Sequence, residues 1–172
     1  MLPDMQDSEV RRVDAKWVRS ATDEHAHWNW ARKATALRYA MNRCVGLTYR
    51  RQLQGLMMVS LGARNARLPS QFGRPLVYIK YLEVAPWNLG DKPRFSRVGR
   101  ALLRTAVELS FAEGFGGRVG LHSLPQSEGF YVSQSLEALG IDPSEENLRY
   151  FELTEEMAIR IRKGESSCKS GM

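Results

Sequence analysis

Between Val98 and Leu109 the apolar positions recur at three- and four-residue spacing. Val98, Leu102, Thr105, Ala106 and Leu109 fall on one stripe, and Arg100, Arg104 and Glu108 on another. The pattern predicts a helix with one buried side. Ser96 is a candidate cap, Arg104 and Glu108 stand one turn apart, and Gly114 is a natural stop. Upstream the pattern changes. Leu76 to Val84 is a mostly apolar run in which Val77, Tyr78, Ile79, Tyr81 and Val84 favour β structure, and Pro86 ends it. Between run and helix lie a loop with Asn88, Gly90, Asp91 and Pro93 and a basic turn, Arg94-Phe95-Ser96-Arg97-Val98-Gly99-Arg100. A strand, a basic glycine-containing turn and a helix form an arrangement that binds phosphate groups. The first N–H groups of a helix lack partners inside it, and its dipole favours an anion there.

The remaining segments follow the same logic. Residues 1–12 are polar and expected to be loose. Val13 to Ala21 reads as a short helix anchored by Trp17 and Val18. Thr22 or Asp23 caps a second helix, with Trp30, Ala34, Leu37 and Met41 on one face. Arg43–Tyr49 and Gln54–Leu61 read as strands of a hairpin, joined by Arg50, Arg51 and Gln52. The second is nearly all apolar and should be central, with Met57 and Met58 in the core. Residues 63–74 read as a loop. Arg118–Leu124 follows Gly116-Gly117 as a strand, and strand, helix and strand imply parallel pairing with a right-handed crossover. Pro125–Ser135 reads as a short helix, Leu139–Ser144 as a turn and Arg149–Thr154 as a strand. Thr154 caps a last helix around Met157–Ile161, with Glu155 and Glu156 in its first turn. No repeat, linker or composition shift divides the chain. Residues 1–172 therefore read as a single domain with loose tails at 1–12 and 163–172.

Composition narrows the partners. The 172 residues are 43% hydrophobic and 26% charged, as in an ordinary globular domain, and suffice for one full core. A net charge of +6 and a pI near 9.6 suit an anionic ligand such as a nucleotide, CoA or nucleic acid, or simply a solvated basic surface. No apolar stretch approaches the ~20 residues of a membrane span, and the N-terminus has no signal-peptide hydrophobic region, so the expected location is cytoplasmic. Cys44 and Cys168 form no disulfide framework and no metal pattern. Cys44 reads as a buried strand residue and Cys168 as a tail thiol. His25 and His27 lack ligand-spaced partners and read as surface histidines rather than a metal site. The basic residues of 63–74 have neither a helix face nor interleaved aromatics, which weighs against nucleic-acid binding.

The basic turn resembles the acetyl-CoA pyrophosphate loop of the GNAT N-acetyltransferase superfamily, whose pattern is Arg/Gln-x-x-Gly-x-Gly/Ala. Arg94 stands at its first place and Gly99 at its last. Arg97 stands where the first glycine is usual, adopts positive φ only at a cost, and adds a cation. LEVAPWN before the turn, RVGRALL on it and GLHSLPQSEGFY after it are similar to successive segments of that family, so the resemblance covers roughly residues 55–153. It implies an α/β fold: a mixed, mostly antiparallel sheet with a splayed parallel strand pair, flanked by helices. It also implies that backbone groups of Leu82 and Val84 bind the pantetheine arm. Backbone N–H groups of Val98, Gly99, Arg100 and Ala101 would hold the pyrophosphate, with Arg94 and Arg97 adding charged contacts.

The chemistry the resemblance implies is direct attack of an amine on the acetyl thioester. Tyr131, in GFYVS, matches the family's tyrosine near the CoA sulfur and would protonate the leaving thiolate; otherwise it is a packed core tyrosine. The N–H of Val84 would bind the oxyanion. Glu83 could drain the amine's proton, directly or through water, or be a strand-end carboxylate paired with Lys80 or an arginine. His122 on the facing strand is the other candidate base, or a satisfied histidine. Trp28 is either core or a candidate for the acceptor side. The resemblance thus implies an acetyl-CoA-dependent N-acetyltransferase with an unidentified amine acceptor and no metal. The alternative is a non-catalytic module of that fold binding CoA or protein, and basicity alone suggests a third reading, a nucleic-acid-associated protein. Many members of the family dimerise, so a homodimer stays open, with no interface identified.

Overall fold

The computed structural model describes residues 4–164. Its centre is a six-stranded sheet in the order β1-β2-β3-β4-β6-β5. The strands are β1 (Asn42–Tyr49), β2 (Gln52–Asn65), β3 (Pro75–Val84), β4 (Val119–Ser123), β5 (Glu137–Asp142) and β6 (Leu148–Leu153). Only β3 and β4 pair in parallel, through the crossover helix α3 (Val98–Ala112). The expected mixed, mostly antiparallel architecture with flanking helices is therefore present. β1 and β2 are joined by Arg50 and Arg51, both with positive φ (47° and 62°). Two such residues make the turn whose twist matches a hairpin, here without the usual Asn or Gly.

β2 is buried on both faces, as its apolar run predicts. Met57 and Val59 face the cluster under α3. Leu56 and Met58 face a second cluster with Val10, Trp17, Trp30 and the buried Cys44. The α3 stripe is buried as its periodicity requires: Val98, Leu102, Ala106 and Leu109 are all at most 4% exposed. A Cβ on Gly55 of β2 would stand 2.6 Å from Val98 Cγ1, so a glycine there lets the first turn of α3 press onto the sheet. Gly114 ends the helix region at φ 77°. The last helix, α5 (Glu155–Lys163), is capped as expected, Met157 N–H donating to Thr154 Oγ1 at 3.2 Å.

Several expectations are corrected. The segment Val13–Ala21 is a series of turns, not a helix. The Asp14 carboxylate binds Arg19 and the N–H of Ala31, so tertiary bonds override a window too short to hold a helix alone. Trp17 is buried, but Val18 is 87% exposed. The second helix starts later, as α2 (Trp30–Lys33) continuing into a 3₁₀ turn at Ala34–Arg38. Its cap is Asn29, which accepts from Arg32 N–H at 2.8 Å, whereas Thr22 and Asp23 bond to Ser20. The turn expected at Leu139–Ser144 is mostly the edge strand β5, a short, largely exposed strand interrupted by Gly140 (φ 97°). At the N-terminus, Asp4 bridges Val45, and a short helix α1 (Asp7–Val10) buries Val10, so this part of the expected loose tail is packed. The tail beyond Gly164, with Cys168, lies outside the described residues.

One buried charge holds the far edge of the sheet together. Glu152 on β6 is fully buried and accepts from Arg67 N–H, Leu68 N–H, Gln71 Nε2 and Tyr150 Oη at 2.7–3.1 Å. Glu152→Ala would leave the Arg67 and Leu68 N–H groups and the Tyr150 hydroxyl unpaired and should lower unfolding free energy by about 3 kcal/mol or more in urea titration.

Candidate active site

β3 and β4 pair only from Val77/Val119 to Ile79/Leu121. The cause lies on the other edge of β3. Met58 of β2 faces Tyr81 and Val59 faces Ile79, so Lys80 has no opposite residue and forms a bulge. A bulge bends its strand. Past it, β3 leaves β4, and a cavity of ≈ 630 Å³ opens between Leu82–Val84 on one side and His122, Ser123 and Tyr131 on the other. Ala85 N–H is bonded to Gln54 C=O of β2 at 2.9 Å. By strand alternation Glu83 then presents its backbone to β2, and Leu82 and Val84 present theirs to the gap.

The start of α3 closes one end of this gap. Arg97 is its N-cap at φ 65°, ψ 15°, with no side-chain cap; Ser96, the expected cap, does not serve. The first intrahelical bond runs from Ala101 N–H to Arg97 C=O at 3.0 Å. The N–H groups of Val98, Gly99 and Arg100 therefore have no acceptor inside the helix, and these residues with Arg97 line the cavity. Ala101 has its N–H engaged and lies on the outer side. Arg94 also turns away, donating to Gln52 Oε1 at 3.2 Å beside Trp87. The turn is pinned from beneath. Buried Asn88 accepts from Phe95 N–H at 2.9 Å and donates to Gln54 Oε1 at 3.0 Å. A Cβ on Gly99 would meet Phe130 Cζ at 3.2 Å, so glycine there lets the helix N-terminus come against α4 (Glu128–Ser133).

Tyr131 on α4 packs its ring on Phe130 and Phe151 and lines the same gap. Burial raises its pKa, so the phenol stays protonated throughout the neutral range. Among the described residues its hydroxyl has no hydrogen-bond partner. Glu83 is fully engaged. Its buried carboxylate accepts from Arg19 through both oxygens and from Trp30 Nε1 at 2.6 Å. His25 Nε2 stands 3.6 Å from Glu83 Oε1 and itself lines the cavity. His122 has both ring nitrogens occupied, Nδ1 by Tyr78 Oη at 2.8 Å and Nε2 by Asp142 Oδ2 at 3.1 Å. With Asp142 accepting from Nε2–H, Nδ1 accepts from the Tyr78 phenol. Burial lowers the His122 pKa, and burial pushes Tyr78 up to about 12.

The opposite end of the cavity is lined by residues the sequence did not single out. Lys33 stands over the Tyr81 ring (3.4 Å) and beside Trp28 (4.6 Å), and Arg64 pairs with Glu145. Glu146 is held at φ 54° in the β5–β6 turn and lines the cavity too. Trp28, read as either core or acceptor side, lines this end of the cavity. His25, expected on the surface, is half-buried against Trp28. Apolar periodicity carries no signal for such polar, turn-borne residues. Among the described residues no group of three or more His, Cys, Asp or Glu could hold a metal ion, and no helix is long and apolar enough to cross a membrane.

A parallel strand pair forced apart, with a bare helix N-terminus at its mouth, defines the GNAT fold, and comparison with known structures finds it. No family model and no curated protein matches the sequence. Solved structures do match in shape. An aminoglycoside 6'-acetyltransferase type Ii superposes with TM-score 0.62 at 12% identity, covering 90% of this chain and 97% of that one. A mutant of the AtaT toxin, solved bound to the C-terminus of the antitoxin AtaR, gives TM-score 0.65 at 13% identity, with 94% and 95% covered. A GNAT-family protein from Desulfovibrio desulfuricans gives TM-score 0.58 at 17% identity, with 89% and 97% covered. The chain has the fold of the GNAT acetyltransferases.

The cap at Arg97 yields a test. A non-glycine residue at positive φ costs about 1 kcal/mol, so Arg97→Gly should raise the melting temperature by about 2–4 °C. Thermal unfolding of the two proteins without ligand reads this directly.

Proposed function

We propose that residues 1–172 form a single acetyl-CoA-dependent N-acetyltransferase domain that passes the acetyl group to a primary amine by direct attack. The observation that carries this reading is the convergence of three sets of unengaged groups on one gap. These are the N–H groups of Val98, Gly99 and Arg100, the backbone edge of Leu82 and Val84, and the Tyr131 hydroxyl. The helix N-terminus, with Arg97 and Arg100 beside it, suits a pyrophosphate. The strand edge suits the amides of a pantetheine arm, which would stand in for the missing β4 pairing.

In the reaction the acceptor's neutral amine attacks the thioester carbonyl. The N–H of Val84 faces the developing oxyanion. The C–S bond breaks, and Tyr131 donates a proton to the thiolate. A phenol kept protonated by burial suits that role, since the proton is present throughout the neutral range. The amine's proton leaves towards His25, with Glu83 orienting the ring. Glu83 acts here through His25, because Arg19 and Trp30 hold its oxygens. His122 acts as a support for Tyr78, its nitrogens being bonded on both sides.

The direct test is release of CoA thiol from acetyl-CoA in the presence of a panel of primary amines. The wild type should turn over with at least one class of acceptor, and Gly99→Glu, which sets a carboxylate at the anion site, should not. Acetyl-CoA binding without turnover on any amine would favour the non-catalytic module instead. With an acceptor in hand, Tyr131→Phe should lower kcat by about a hundredfold while acetyl-CoA affinity stays within about twofold. An unchanged kcat would return Tyr131 to the core.

A further inference from the structure

Lys33 ends α2 with its ammonium inside the cavity rather than in bulk water. Nζ lies 3.4 Å from the centroid of Tyr81 and 4.6 Å from that of Trp28. Among the described residues it has no hydrogen bond and no carboxylate within ion-pair distance. An ammonium with three donors and only aromatic faces for partners is unusual, because lysine is strongly hydrated and on a surface would reach for water or a carboxylate. Tyr81 directly precedes Leu82, whose backbone faces the gap. The amine therefore stands beside the strand edge assigned to the pantetheine arm, at the end of the cavity away from the α3 N-terminus.

We propose that Lys33 is a self-acetylation site, its Nζ taking the acetyl group of the protein's own bound acetyl-CoA. The proposal rests on the acetyltransferase reading above. In the step, the Nζ lone pair attacks the thioester carbonyl, a C–N bond forms and the C–S bond breaks. One amine proton leaves to His25 or water, the thiolate takes a proton from Tyr131, and the products are N-acetyllysine and CoA thiol. The surroundings supply neutral amine. Burial, aided by Arg19, lowers the Lys33 pKa to about 8 against the opposing pull of Glu83, Asp14 and Glu146. Acetylation would remove the cation from the Tyr81 and Trp28 faces and leave a neutral amide in the acceptor end, so it would also change which acceptors fit.

The experiment needs no known acceptor. The full chain is incubated with acetyl-CoA alone, and label is followed by intact mass and peptide mapping. Thermal unfolding with acetyl-CoA is run in parallel. The expected result is one acetyl group per chain, mapped to Lys33, absent from Lys33→Arg and formed at least about tenfold more slowly in Gly99→Glu. Its initial rate should rise about tenfold per pH unit below pH 8 and level above it, as the amine deprotonates. Three results would overturn the proposal while leaving the cofactor reading intact: thermal stabilisation by acetyl-CoA without label on Lys33, label mainly on Lys80, or an equal rate in folded Gly99→Glu. A wild type with neither stabilisation nor label would overturn both.

Discussion

The structure depends on one unpaired residue in the middle of a strand. Lys80 has no opposite number on β2, and β3 bends there away from β4. Without the bulge the parallel pair would continue past Ile79, and backbone N–H and C=O groups would be bonded within the sheet. With it, Leu82 and Val84 present backbone groups that must find partners elsewhere, because buried peptide groups are costly to leave unmade. The gap thus holds peptide groups that a ligand with amides of its own can satisfy.

Everything around the gap keeps it open and aimed. Gly55 allows α3 onto the sheet, Gly99 allows its first turn against Phe130, and the Asn88–Gln54 bonds fix the turn between them. On the other side, Glu83 ties Arg19 and Trp30 to β3, so the N-terminal turns form one wall of the cavity despite lacking regular structure. The same carboxylate stands beside His25 and opposes the lowering effect of Arg19 on the Lys33 pKa. A single buried acid therefore links packing of the N-terminal segment to the electrostatics of the Lys33 end of the cavity.

The central unit was legible because its signals are local and strong. The α3 stripe, the β-branched run of β3 and the glycine-bearing turn each read from a few adjacent residues, and together they carried the fold. The free amides of Val98, Gly99 and Arg100 followed from that reading, whereas Arg94 and Ala101 did not, because a side chain's direction and the first bond of a helix are set by three-dimensional geometry. β5 was hidden by Gly140 and by its shortness, six largely exposed residues at the sheet edge. The segment from Val13 to Trp28 could not be read because its order comes from bonds that Arg19 makes to Glu83 and Asp14 to Ala31, partners outside the segment. His25 and Lys33 were illegible for the same reason.

The central claim is that the gap between β3 and β4 is an acetyl-CoA site. Thermal unfolding of the wild type with and without acetyl-CoA at about 100 times its dissociation constant tests it most directly. A bound ligand at that ratio stabilises by about 2.7 kcal/mol, which for a chain of this size raises the melting temperature by roughly 5–10 °C. That shift, lost in Gly99→Glu, is the predicted result. A folded wild type that melts at the same temperature at millimolar acetyl-CoA would contradict the account.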